Sequence, residues 1–305
     1  MKEKVLISGG SGLVGQRLSE LLLKKGYEVS HLSRSKGNSN DNIKTIIWDV
    51  KNQKVDAAAI APFDHIVNLS GAGIVDKAWT DKRKKVLLES RTKSVNLLKK
   101  SIVRNDKKPK TFVSASAVGY YGLITSEHIF KENDSDGNDF LAETCVAWES
   151  AVDEIAAIGI PTTKIRTGLV LTDKGGALKE IAKPIKLGFG AALGSGKQYL
   201  PWIHIDDLCG MYIHAIENKL DGAFNAAVPA TEQLSNAALT KAVAKVLKKP
   251  LWMPNVPAFA LRIIMGSRAL LVLKGSRVSV TKIQKTGYKF KYLKITDALK
   301  AIYEK

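Results

Sequence analysis

The sequence predicts an α/β fold: a doubly wound parallel sheet with a smaller, mainly C-terminal lobe. Three observations predict it. Short apolar runs alternate with helical patterns over roughly the first 170 residues, a glycine-rich turn joins the first run to the first helix, and the alternation then gives way to loops and proline-punctuated helices. A chain of 305 residues with 45% apolar content can bury a core large enough for such a fold.

The elements follow in order. VLIS (5–8) stops at GGSGLVG, and QRLSELLLKKG then places Leu18, Leu21 and Leu22 on one helical face before ending at Gly26. YEVSHLSR reads as a second strand, and further apolar runs stand at TIIW (45–48), HIVNL (65–69), TFVSA (111–115) and TTKIR (162–166). The longest helical patterns lie at about 80–104 and 140–158. Strands alternating with helices require crossover connections, hence a parallel sheet covered on both faces. After residue 170 come a glycine-rich loop, LGFGAALGSGKQYLPW (187–202), a helix at IDDLCGMYIHAIEN, a strand at GAFNAA and a helical tail through KKPLWMPNVPAFALRIIMG. Residues 1–170 are expected to form the dinucleotide-binding domain, with 201–227 returning to it. Residues 171–200 and 228–305 would form the substrate lobe, over the C-terminal edge of the sheet where open α/β folds bind ligands.

The net charge of +18 admits an anionic partner. The densest basic stretch, residues 77–110, nevertheless carries Val86, Leu87, Val95, Leu97, Leu98 and Ile102 at near-helical intervals, which suits a helix with one buried and one solvated face. No zinc-finger, basic-zipper or RNP pattern points to nucleic acid. Cys145 and Cys209 lack metal-ligand spacing and read as buried thiols, so no metal is expected. There is no run of about 18 apolar residues, and MKEK leads directly into a strand. A cytoplasmic protein without a membrane span is the expectation.

Gly9, Gly12 and Gly15 give G-x-x-G-x-x-G between a strand and a helix, a Rossmann-type turn. Gly9 makes the tight bend, Gly12 lets backbone N–H groups reach a pyrophosphate, and Gly15 lets the helix lie close to the strand. Gly10, Ser11, Leu13 and Val14 complete this cofactor-binding turn. About 20 residues on, where an acidic side chain would hold the ribose hydroxyls of NAD, the chain has Ser33-Arg34-Ser35-Lys36. A guanidinium grips a 2′-phosphate, so NADP(H) is the expected cofactor. Asp49, after the third strand, is either an adenine partner or a turn residue.

SGGSGLVG (8–15), NLSGAG (68–73) and WIHIDDL (202–208) resemble elements of the extended short-chain dehydrogenase/reductase superfamily, which includes sugar-nucleotide epimerases and dehydratases. GAGIVDKAWTDKRKKVLLESR, SASAVGYYG, RTGLVL, LGSGKQYLPWIHIDDL and the tail from PNVPAFALR to GSRV resemble one branch of it, the epimerase-like NADP-dependent oxidoreductases, over residues 4–303. The resemblance implies that Leu69, Ser70 and Gly71 pack beside the cofactor and that Thr167 and Gly168 lie near the nicotinamide. It also departs from the branch pattern: no glutamate precedes Gly275-Ser276-Arg277-Val278.

In that superfamily a serine binds the substrate oxygen, a tyrosine exchanges the proton, and a lysine four residues later lowers the phenol's pKa. Ser116 stands at the serine position. The positions matching tyrosine and lysine are Leu141 and Cys145, neither of which can do that work. Either Tyr120 or Tyr121 on the strand-end loop then delivers the proton, or water or the substrate itself serves, in a reaction on an unidentified small carbonyl, alcohol or sugar-nucleotide-like substrate. The alternative is a catalytically silent NADPH-binding sensor or scaffold. Arg166, counted with the cofactor-facing residues, either faces the cleft or pairs with a core carboxylate. His204 reads as structural, Lys186, Lys197 and Gln198 flank the glycine loop, and Arg83 and Arg91 lie on the helix after NLSGAG. Self-association into a homodimer stays open.

Overall fold

A computed structural model describes residues 2–35 and 43–304. Lys36, read above with Ser33 and Arg34, lies outside the described residues. The chain runs β1 (Lys4–Ser8), α1 (Leu13–Lys24), β2 (Glu28–Ser33), β3 (Lys44–Asp49), β4 (Lys54–Val55), β5 (His65–Asn68), α2 (Asp81–Val103), β6 (Thr111–Ala117), β7 (Ile129–Phe130), α3 (Phe140–Ala156), β8 (Thr162–Thr167) and β9 (Leu169–Leu171). It continues through α4 (Gly176–Lys186), β10 (Tyr199–Leu200), β11 (Trp202–His204), α5 (Ile205–Glu217), β12 (Gly222–Ala226), β13 (Leu234–Ser235) and α6 (Asn236–Val246). The tail forms α7 (Ala258–Met265), α8 (Leu270–Leu273), β14 (Arg277–Val278), α9 (Thr281–Lys285) and α10 (Ile295–Tyr303).

The main sheet has the order β12-β8-β6-β5-β1-β2-β3-β4, parallel throughout except for the β3–β4 hairpin. Strand periodicity explains how the sheet is covered on both sides. Val5 and Ile7 of β1 point into a core shared with Leu18 and Leu22 of α1 and Met211 and Tyr212 of α5. Leu6, between them, points into the opposite core with Leu98 of α2 and Trp148 and Val152 of α3. All three strand residues have no exposed surface, and each such burial stabilises the fold by roughly 1.5–3 kcal/mol.

The GAFNAA strand joins this sheet as β12, at its edge beside β8. WIH does not: β11 pairs with β9 in a separate two-stranded ladder, in line with Trp202 and Leu171 belonging to a third core with Leu178, Ile185, Leu239 and Leu299. The tail is fastened to α5 by Asp207, whose carboxylate accepts from the backbone N–H groups of Lys291 (2.6 Å) and Tyr292 (2.9 Å). Among the described residues no helix is long and apolar enough to cross a membrane.

Candidate functional site

The glycine turn lies at the C-terminal edge of the sheet, where β1 hands over to α1. Gly9 has φ +74°, and a Cβ there would stand 2.8 Å from the Leu69 carbonyl oxygen. A Cβ on Gly15 would lie 2.4 Å from the Gly9 oxygen, so α1 approaches the turn as closely as it does only because that position is bare. Gly10 is covered by the His31 ring, whose Nε2 meets Ser19 Oγ at 2.8 Å while that hydroxyl donates to the Gly15 carbonyl at 2.7 Å. Gly12 is the N-cap of α1 and offers no side-chain cap. The N–H groups of Leu13 and Val14 therefore have no partner among the described residues, and Ser11 is exposed beside them. Unpaired donors at a helix N-terminus form an anion cradle, which fits a pyrophosphate.

Ser33 ends β2 half-buried, and Arg34 follows it exposed, with no ion-pair partner among the described residues. Asp49 holds the next turn: its carboxylate accepts from Asn52 N (2.9 Å) and Asn52 Nδ2 (2.7 Å).

The second wall is the segment after β5. Leu69 N–H donates to the Ser8 carbonyl at 3.0 Å, which places Leu69 against Gly9 and leaves Ser70 half-buried and Gly71 exposed. Arg91 lies behind Gly71, 3.3 Å from where a Cβ would sit. Its guanidinium donates to the Leu87 carbonyl at 2.8 Å and stands 5.2 Å from the Trp148 ring centre. Burial pulls its pKa below the ordinary guanidinium value. Arg83 is an anchor, donating to the Gly73 carbonyl at 2.6 Å and lying 3.7 Å from Asp76.

At the end of β6 the structure assembles a network of buried polar groups. Ser116 Oγ donates to Glu149 Oε1 at 2.6 Å. Arg166, on the adjoining β8, donates to both oxygens of the same carboxylate at 2.8 Å. Its Nη1 also donates to the Tyr121 hydroxyl (3.0 Å) and to the Glu132 carbonyl (3.1 Å), and Tyr121 in turn donates to Asn225 Oδ1 at 2.8 Å. Burial pushes the Tyr121 phenol up to about 12, the Arg166 charge only partly opposing it. Tyr120 differs. Its ring is half-buried with the Arg166 guanidinium 3.4 Å from the ring centre, but its hydroxyl has no hydrogen-bond partner among the described residues.

Leu141, Cys145 and Glu149 recur every four residues on one buried face of α3. Burial raises the Cys145 thiol to about 12, which leaves it protonated and inert at neutral pH. The core carboxylate for Arg166 is thus Glu149, which sequence reasoning passed over. The signal was there: a charged residue one turn after Cys145 on an otherwise apolar face needs a partner. Thr167 bonds back to the Ile165 carbonyl at 3.2 Å. Gly168 donates its N–H to the Ala226 carbonyl at 3.0 Å and lies where a Cβ would strike the Pro201 carbonyl, so its bareness serves strand packing. His204 caps α5 by accepting from Asp206 N at 3.1 Å and packs on Tyr292. Gln198 is buried, tying the Leu193 and Val272 carbonyls together at 3.0 and 2.6 Å, while Lys186 and Lys197 are exposed.

A parallel sheet leading into an uncapped, glycine-lined helix N-terminus defines a dinucleotide-type α/β protein. Two family models match the chain: the NAD dependent epimerase/dehydratase family over residues 5–227 and a domain of unknown function (DUF1731) over residues 256–302. The chain is 32% identical over 296 residues to the epimerase family protein YfhF of Bacillus subtilis, covering 97% of this chain and 96% of that one. It matches the crystal structure of human epimerase family protein SDR39U1 (isoform 2) with NADPH at TM-score 0.87 and 31% identity, over 99% of each chain. UDP-glucuronic acid 4-epimerase from Bacillus cereus in complex with NAD, 18% identical at TM-score 0.78, covers 99% of this chain and 97% of its own and shares the fold. The chain belongs to the NAD dependent epimerase/dehydratase family, in its extended short-chain dehydrogenase/reductase form.

Proposed function

We propose that the chain binds NADP(H) at the Gly9–Gly15 turn and acts as an oxidoreductase on a small carbonyl or alcohol substrate, with Tyr120 exchanging the proton. The open N–H groups of α1 are suited to the pyrophosphate, and Ser33 and Arg34 to the 2′-phosphate. Leu69, Ser70 and Gly71 supply the wall opposite. The human relative crystallised with NADPH supports this choice of cofactor. When bound, NADP(H) supplies or accepts a hydride, and the chain's own task is alignment and proton exchange.

One observation carries the assignment of the proton donor. Of the hydroxyls on the strand-end loop, Ser116 and Tyr121 are committed to Glu149, Arg166 and Asn225, whereas Tyr120 has a fixed ring and an uncommitted hydroxyl. Titration with NADPH and NADH, followed by a carbonyl panel read at the NADPH absorbance, tests it. Saturable NADPH binding with turnover that Tyr120→Phe lowers by about a hundredfold is the expected result.

A second reading, NADPH binding without turnover, draws on the α3 face. Leu141 and Cys145 occupy the tyrosine and lysine positions, and the Ser116 proton is directed at Glu149. Tight NADPH binding with no oxidation across the panel would select this reading.

A further inference from the structure

Among the described residues six large apolar side chains are exposed by 60% or more: Leu187, Phe189, Trp252, Phe259, Ile263 and Ile264. They come from two segments that the backbone ties together. Val256 N–H donates to the Ala192 carbonyl and Gly194 N–H to the Val256 carbonyl, both at 2.9 Å, and the Leu251 side chain packs on Gly190. Leu261 is the one buried residue of α7, so Phe259 and Ile263, one turn apart, face outward with Ile264. An apolar surface of this kind marks an interaction site.

The charge around it is one-sided. Between Gln233 and Gly275, the stretch that carries Trp252, Phe259, Ile263 and Ile264, the sequence has seven Lys and Arg and no Asp or Glu. Lys183, Lys186, Lys248, Lys249 and Arg262, which flank the apolar residues along the chain, are exposed and form no ion pair with a described residue. Glu180, one turn before Lys183, is the acid on α4.

We infer that this face docks on an anionic lipid bilayer. The indole and aliphatic side chains would enter the boundary between headgroups and acyl chains, while the flanking cations meet lipid phosphates. A second copy of the chain would bring two positively charged faces together, which Coulomb repulsion opposes. A nucleic acid would answer the charge but gives aliphatic Ile263 and Ile264 nothing to bury against, since single strands bind by stacking on rings.

The test is co-sedimentation of the full chain with vesicles of phosphatidylcholine alone or mixed with phosphatidylglycerol. Binding to the mixed vesicles only, released by high salt, is expected. The Ile263→Asp, Ile264→Asp double variant should lower that binding by about tenfold or more with an unchanged unfolding midpoint, because both side chains are already in water. Lys248→Glu with Lys249→Glu should weaken it as well. Absence of binding to the mixed vesicles, or equal binding by the aspartate variant, overturns the inference. So does single-stranded RNA binding or dimerisation that the aspartate variant abolishes while vesicle binding is absent.

Discussion

Glu149 and Arg166 face each other where α3 meets β8, joined by two hydrogen bonds of 2.8 Å, with side chains only 6% and 4% exposed. Removing one partner strands the other charge in the core, so Glu149→Gln and Arg166→Met should each destabilise the protein by roughly 3–5 kcal/mol in urea unfolding. The double variant Glu149→Leu, Arg166→Met should cost less than either single change. A single-variant loss below about 1 kcal/mol would contradict a buried pair of this kind.

Arg34 should decide between the two dinucleotides. Arg34→Glu is expected to weaken NADPH binding by about tenfold or more, measured by calorimetry, while NADH binding holds or improves. Equal affinity of the unmodified chain for NADPH and NADH would remove the basis of the assignment.

The adjacent tyrosines should part company. Tyr121→Phe leaves Asn225 and Arg166 short of a partner and should cost about 1–3 kcal/mol of stability. Tyr120→Phe loses no hydrogen bond to a described residue and should change stability by less than about 0.5 kcal/mol. It should lower turnover by about a hundredfold with NADPH affinity unchanged. If both variants behave alike, the distinction drawn from the hydrogen bonds fails.

Acid stability should depend on the contact between α1 and α5. Burial alone would raise the Asp206 pKa, but the Arg17 guanidinium at 2.7 Å outweighs it and holds the carboxyl below its ordinary value. The unfolded chain then binds the proton more readily, so this stabilisation is complete above the ordinary aspartate pKa and is lost as pH falls through the lower folded value. Asp206→Asn should be less stable than the parent at neutral pH, and the gap should close on acidification in urea titrations at successive pH values. A gap that stays constant with pH would show that Asp206 acts by packing alone.

The alternating core and the nucleotide turn were legible because their signals are local. Leu18 and Leu22 announce a helical face by spacing, and Gly15 is needed by its contact with Gly9 and Gly10 in the same turn, whereas the close contact at Gly9 comes from Leu69, on the neighbouring strand's loop. The tail was less so. Of the stretch read as a helical, proline-punctuated tail, residues 248–266, only α7 is helical, starting after Pro257 and ending at Gly266. WIH, in the stretch 201–227 assigned to the dinucleotide-binding domain, pairs with β9 in a two-stranded ladder, with Trp202 in one core and Ile203 in the core that α5 shares with β1.

By itself, then, the sequence determined the sheet, the turn built to receive an anion and the loss of tyrosine and lysine from α3, since periodicity, backbone sterics and residue identity are properties of short segments. Only the tertiary structure decided that Arg166 answers Glu149, that Tyr121 is spent on Asn225 while Tyr120 is not, and that the two distant segments carrying the exposed apolar residues are tied together by backbone hydrogen bonds. Those partners lie 17 residues apart for Arg166 and Glu149 and 104 for Tyr121 and Asn225. Bringing them together is the work of strand order and register, which arise when the whole sheet closes around its cores.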